Sequence, residues 1–175
     1  KQMGLWIIIA VVVIGLVAIV IYNRLVGLRQ NVRQGWADID AQLRQRHDLI
    51  PNLVSTVQGY ATHEKTTLDE VISARNSAIG ASNPSSVAAA EAGLSGALKN
   101  LFALAENYPD LKANHSFLLL QKRITGIENE IADRREFFNQ TVTAWNTRIE
   151  QFPDSFLAGI FLKARRRALL KLAGI

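Results

Sequence analysis

The chain has 175 residues, about one domain's worth of polypeptide, with 49% apolar residues and no cysteine. The missing cysteine excludes disulfides, thiolate metal sites and a cysteine nucleophile. Net charge is +5, unevenly placed: residues 1–150 carry fifteen Lys/Arg against fourteen Asp/Glu, while residues 151–175 carry five basic residues against Asp154 alone. A near-neutral body with a basic tail points to anionic phosphate as a partner, on a lipid or a nucleic acid.

Residues 4–22 (Gly-Leu-Trp-Ile-Ile-Ile-Ala-Val-Val-Val-Ile-Gly-Leu-Val-Ala-Ile-Val-Ile-Tyr) hold no charge. As a helix they span roughly 28 Å, close to the hydrocarbon thickness of a bilayer. Trp6 and Tyr22 sit near the two ends, where aromatic anchors belong. A cleaved signal peptide is disfavoured, because the apolar core is too long and no small-x-small site precedes Asn23. A buried soluble helix is disfavoured too. Arg24, Arg29 and Arg33 follow the span and only Lys1 precedes it, so the positive-inside rule places the C-terminal portion in the cytoplasm. Ala10, Gly15 and Ala18 do not form a G-x-x-x-G pattern, so the span carries little signal for dimerisation.

From Leu25 onward apolar residues recur at Leu25, Leu28, Val32, Trp36, Ile39, Leu43, Ile50, Val54, Val57, Ala61, Leu68 and Ile72. The period is about 3.6, so the membrane helix is expected to continue past the bilayer with one buried stripe. Gly27 and Gly35 weaken it without ending it. Pro51 interrupts the pattern and predicts a kink or tight corner near Asp48–Pro51, with Asp48 as a possible cap for a new helix reaching Ile79. Residues 80–86 read as a connection, and Ser86 as the cap of a small-residue helix over 87–106. Residues 107–110 (Asn-Tyr-Pro-Asp) are the next turn. A long helix is expected over 111–152, with the stripe Phe117, Leu120, Ile124, Ile127, Ile131, Phe138, Val142, Trp145 and Ile149, ended by Phe152-Pro153.

Nothing alternates for long enough to build a sheet. The fold class is all-α: an N-terminal transmembrane helix continuing into an elongated antiparallel helical bundle. The expected divisions are 4–22 for the span, 23–152 for a cytoplasmic bundle and 153–175 for a basic, apolar tail.

Tyr22-Asn23-x-Leu25-Val26-x-Leu28-Arg29 and Trp36-x-x-Ile39-Asp40-x-Gln42-Leu43-x-x-Arg46-His47-Asp48-Leu49-Ile50-Pro51-Asn52-Leu53-Val54 resemble the LemA family of bacterial membrane proteins. The likeness continues through Gly59-Tyr60-Ala61-x-His63-Glu64, Ala74-Arg75, Glu106-Asn107-Tyr108-Pro109-x-Leu111-Lys112-Ala113, Phe138-Asn139, Trp145-Asn146 and Phe152-Pro153. It covers roughly residues 4–155, and the tail after Phe156 falls outside the pattern. The resemblance implies one N-terminal span, a cytoplasm-facing bundle in the bacterial inner membrane, and no established enzymatic activity. Its MamQ-like branch, associated with forming magnetosome membranes, points by analogy to membrane shaping or protein organisation.

His47 with Asp48, and His63 with Glu64, are the candidates for metal or acid–base chemistry. The histidines are sixteen residues apart, whereas a zinc site on one helix wants ligands three or four apart. No catalytic, cofactor-binding or metal residue is therefore assigned, and the cluster is read as polar groups on the bundle surface or bridging helices. Asp40–Arg44 and Glu130–Arg134 stand at i, i+4, the spacing of pairs on a solvated face. Arg46, beside the core stripe, is expected to meet an acid on a neighbouring helix. Trp36, Asp40, Arg46, His47, Asp48 and Pro51 together read as a bundle corner whose polar members set helix register. Asn139 and Asn146 border the later stripe, where asparagine fixes register or makes an oligomer contact.

The tail mixes Phe156, Leu157, Ile160, Phe161, Leu162, Leu169, Leu170 and Leu172 with Lys163, Arg165, Arg166, Arg167 and Lys171. Read as a helix, it is best placed at an anionic lipid interface. Packing against other copies ranks second, and nucleic-acid binding, with no recognised fold to support it, is set aside. The functional expectation is a membrane-anchored scaffold that self-associates and organises or remodels the cytoplasmic membrane surface. The competing expectation is an adaptor or regulatory subunit of a membrane protease, transporter or signalling complex. A hydrolase using His47 or His63 is the third and requires a bound metal or a converging pocket.

Overall fold

The computed structural model of the chain describes residues 2–171. Lys1 and residues 172–175, including the Leu172 named above, lie outside that range. Among the described residues the structure is all-α: α1 (Gln2–Gln58), α2 (Lys65–Gly80), α3 (Pro84–Ala105), α4 (Pro109–Lys112), α5 (His115–Glu150) and α6 (Asp154–Phe161). The chain divides into two compact units, Lys1–Trp36 with Phe138–Leu169, and Ala37–Phe137 with Leu170–Ile175.

In the first unit α1 begins as an apolar cylinder. Residues 3–17 are exposed on every face, Ala18 is half-buried, and none of the most apolar 18-residue window is buried. A core helix of a soluble protein would be covered, whereas this segment is long and apolar enough to cross a membrane and none of its most apolar window is buried. Further along, Leu25 and Val32 are buried, and the Trp36 ring meets Phe138 at 5.4 Å between centroids. Gly35 makes that approach possible: a Cβ there would lie 3.3 Å from Phe138 Cδ2 and 3.5 Å from its Cα. Gly27, by contrast, faces open space.

The core of the second unit is built from the end of α1 with α2, α3 and the start of α5. It contains Ile50, Leu53, Val54 and Val57, then Leu68 and Val71, then Leu94, Leu98 and Leu101, with Phe117 and Ile124. The helix starts follow from local chemistry. Asn83 caps α3 by accepting from the Ser86 amide at 2.9 Å, while the Ser86 hydroxyl accepts from the Asn83 amide at 3.2 Å. This is a capping box with Pro84 in the first turn. Ser86, expected as the cap, is its return partner. Asn114 accepts from the Phe117 amide at 3.0 Å and starts α5, so the helix expected from residue 111 begins at His115, after the short α4.

Pro51 does not make a corner. α1 runs through it to Gln58, and the chain turns at residues 59–64 instead. Asp48 therefore caps nothing; it is an exposed mid-helix residue. Proline lacks an amide hydrogen, so the carbonyl one turn back, that of His47, loses its helical donor. Arg75 on α2 supplies the replacement: its Nε donates to the His47 carbonyl at 2.8 Å. A buried acceptor that tertiary structure satisfies no longer obliges the helix to end.

Arg75→Ala is expected to destabilise the folded chain by about 1–3 kcal/mol, the cost of stranding a buried acceptor. In a Pro51→Ala background, where the helix again has its own amide, the same change should cost less. A double-mutant cycle from denaturant unfolding in detergent measures this coupling.

Candidate functional site

The most concentrated polar chemistry lies inside the second unit, on the buried side of α1. Arg46 belongs to the helical face that also carries Ile39, Leu43, Ile50 and Leu53, so its guanidinium enters the core and is 1% exposed. Nη1 donates to Glu91 Oε2 on α3 at 3.0 Å, and Nη2 donates to Ser95 Oγ, also on α3, at 2.6 Å. Nη2 also pairs with Glu128 Oε1 on α5. Glu91 uses its second oxygen for His47, whose Nε2 lies 2.6 Å from Oε1. A carboxylate only accepts, so Nε2 carries the hydrogen and donates. With Arg75 on the His47 carbonyl, four helices meet through one chain of hydrogen bonds.

The fork of Arg46 suits this task. It presents several donors in fixed directions, which a lysine ammonium cannot do. Around this network two buried side-chain atoms have no hydrogen-bond partner among the described residues: Arg46 Nε and, one turn earlier, Gln42 Oε1. A buried ion pair of this kind adds little net stability over an apolar replacement, but losing one member strands the other. Its physical effect is discrimination: only one register of α1, α3 and α5 satisfies all the charges.

The remaining candidates are dispersed. Asp40 pairs with Arg44 at 2.6 Å on the exposed face, as its spacing predicts. Glu130 and Arg134 do not pair with each other. Arg123, two turns earlier on α5, reaches Glu130 at 3.6 Å, and Arg134 reaches Asp38 on α1 at 3.8 Å. Trp36 is half-buried against Phe138. His63 is exposed in the turn after α1, whereas His47 is buried against Glu91. No cluster of three or more His, Asp or Glu suited to a metal occurs among the described residues. Next to His63, Glu64 accepts from the Tyr108 hydroxyl at 2.8 Å, which ties the α1–α2 turn to the start of α4. That hydrogen bond, followed by partial burial and the carboxylate charge, raises the Tyr108 pKa above its ordinary 10.0.

In the first unit Asn146 has a role different from the register expected of it. Its Nδ2 donates to the Arg167 carbonyl at 3.0 Å, and its Oδ1 accepts from the Arg167 amide at 2.7 Å. Trp145 Nε1 donates to the Arg165 carbonyl at 3.0 Å. Together they clamp the tail backbone against α5. Asn139 is half-buried. The tail itself is not one helix: α6 ends at Phe161, and residues 163–171 have no regular secondary structure. The Arg167 amide and the carbonyls of Arg165 and Arg167 are taken by side chains of α5 rather than by a helical ladder. Lys163, Arg165, Arg166, Arg167 and Lys171 are exposed, and Arg166 pairs with Glu150.

Glu91, Ser95 and Glu128 were not legible as site residues. One signal existed for Glu91: it is the only acid between Glu70 and Glu106, set in an Ala-rich helix.

Comparison with known proteins adds a family. The LemA family model matches residues 35–174, so the match includes the basic tail expected to fall outside it. Magnetosome protein MamQ of Magnetospirillum gryphiswaldense is 21% identical, over 79% of this chain and 61% of its own length. Magnetosome proteins MamQ 1 and MamQ 2 of Paramagnetospirillum magneticum are each 21% identical, over 84% of this chain and 63% of theirs. The chain thus spans about three-fifths of the curated relatives it matches.

Arg46→Met is expected to destabilise the chain by about 3–5 kcal/mol, because Glu91 is left buried without its cation. Adding Glu91→Leu should recover part of the loss, read as denaturant midpoints. Tyr108→Phe removes the bond to Glu64. Because the folded pKa is raised, that bond stabilises fully below pH 10 and is lost as pH rises through the folded value. The stability gap between wild type and Tyr108→Phe should be constant near neutrality and close in strong alkali.

Proposed function

The chain belongs to the LemA family, and from that premise we propose that it is a membrane-anchored helical scaffold. On this reading it self-associates and organises or remodels the cytoplasmic face of the bacterial inner membrane. The supporting observation is the apolar start of α1, whose most apolar window is unburied and suits lipid. Residues 4–22 span the bilayer with the N-terminus outside, as the basic residues Arg24, Arg29 and Arg33 favour. The buried Arg46 network serves architecture, and no catalytic step is assigned to it. The exposed Lys163, Arg165, Arg167 and Lys171 meet anionic headgroups, each adding about 1 kcal/mol of attraction near such a surface. The printed names of the MamQ relatives tie them to magnetosomes, which supports a role at membranes for this chain as well.

The adaptor reading rests on a different observation. Ile72 and Ile79 on α2, and Leu118 and Leu119 on α5, are exposed at 41–60%, and such residues suit a protein partner.

Reconstitution into anionic liposomes tests the scaffold. Self-association in the bilayer with altered vesicle shape is the expected result. A strictly monomeric protein that leaves vesicles unchanged overturns it, and a stoichiometric foreign partner crosslinked in native membranes favours the adaptor.

A further inference from the structure

Between the end of the span and α6 lies an apolar hollow of about 310 Å³, lined by Ala18, Ile19, Tyr22, Leu157 and Phe161. Phe161 packs edge-on against Tyr22, with 6.5 Å between ring centroids. No polar surface lines the hollow. Cavities of that character stay dry or take apolar guests, and one of about 150 Å³ already accepts a benzene ring.

Resting on the reading that residues 4–22 span the membrane, we infer that this hollow seats one acyl chain of an anionic phospholipid, whose phosphate is met by Lys163 and the arginines after it. The floor decides the occupant. Ala18 and Ile19 belong to the span, so the hollow opens where hydrocarbon is the solvent. Tyr22, an interfacial anchor at the end of the span, sets its depth at the headgroup boundary. Phe156, Ile160 and Phe161 of α6 are 56–64% exposed, and Phe152 just before it is 88% exposed; all suit the same boundary.

The headgroup contact follows from connectivity. Lys163 is two residues beyond Phe161, within about 7 Å by chain reach. It adopts a left-handed conformation, φ 45°, and the amide of Ala164 donates back to the Ala158 carbonyl at 3.1 Å. A left-handed lysine is costly. The turn holds the lysine at the C-terminal end of α6, where the helix dipole also favours a cation. Trp145 and Asn146 then clamp the backbone of Arg165 and Arg167 and leave both side chains exposed.

The test uses the full chain, one copy per nanodisc, with phosphatidylglycerol or phosphatidylcholine carrying a photoreactive group in one acyl tail. Labelled peptides are mapped by mass. The expected result is stronger label on the peptide holding Leu157 and Phe161 than on Val11–Val13, and stronger with phosphatidylglycerol. Ala18→Phe, with unchanged helicity, should remove the α6 label and spare Val11–Val13, and Leu157→Phe, filling from the opposite wall, should do the same. Lys163→Glu should lower the phosphatidylglycerol preference about fivefold or more, the factor expected for one basic residue at an anionic surface. Equal label on α6 and Val11–Val13, indifferent to both filling variants, overturns the proposal. So does α6 that takes no lipid label and crosslinks to a second chain when two copies share a disc. Single-copy discs keep this outcome separate from self-association: a failed seat leaves the scaffold standing, and a monomer in vesicles leaves the seat standing.

Discussion

The guanidinium of Arg46 sets the terms for the second unit. A charge taken out of water must be met by oppositely charged or dipolar groups in fixed positions, or folding stops short. Here those groups come from Glu91 and Ser95 on α3 and Glu128 on α5. Apolar stripes alone tolerate sliding, since leucine packs against leucine in many registers. The arginine fork removes that freedom. It also recruits its neighbour: Glu91, held by Arg46 on one oxygen, takes His47 on the other, and Arg75 takes the His47 carbonyl. The same few atoms that fix α1 against α3 thus let α1 continue past a proline.

The first unit obeys a different constraint. Its leading helix starts apolar on all sides, with none of its most apolar window buried, so a bilayer, rather than a folded core, is the solvent suited to that stretch. The segment after α5 is organised by polar side chains on that helix. Trp145 and Asn146 hold the backbone of the tail and leave its charges outward. Arg148 adds an ion pair to the buried Asp154 at 3.5 Å, at the start of α6. Roles therefore divide within single residues: the main chain of Arg165 and Arg167 is structural, and their side chains are exposed.

Much of this was readable from local pattern. The apolar run, the 3.6-residue stripes, the turn before Pro109 and the exposed Asp40–Arg44 pair all depend on residues within one or two turns of each other. Arg46 was legible as the partner of an unnamed acid because it stands beside a core stripe. The misreadings share one cause. Pro51 looked like a corner, Glu130–Arg134 like a pair and Asn146 like a register residue because each was judged against its own helix. Arg75 on α2, Asp38 on α1 and the backbone of Arg167 come from other segments, and Arg123 comes from two turns away on α5; none of them stands within one turn of the residue it meets.

By itself the sequence determined an all-helical chain with a membrane-length apolar segment, a basic end and a family likeness. Those properties are sums over neighbours: hydropathy, periodicity, capping and composition. Only the tertiary structure decided where the polar groups go. Arg46 meets Glu91 and Glu128 from 45 and 82 residues away. Periodicity places each of these residues on a helix but is silent about which faces meet, because many pairings bury the same apolar area. Satisfying a buried charge selects among those pairings, and that selection exists only once the helices are packed.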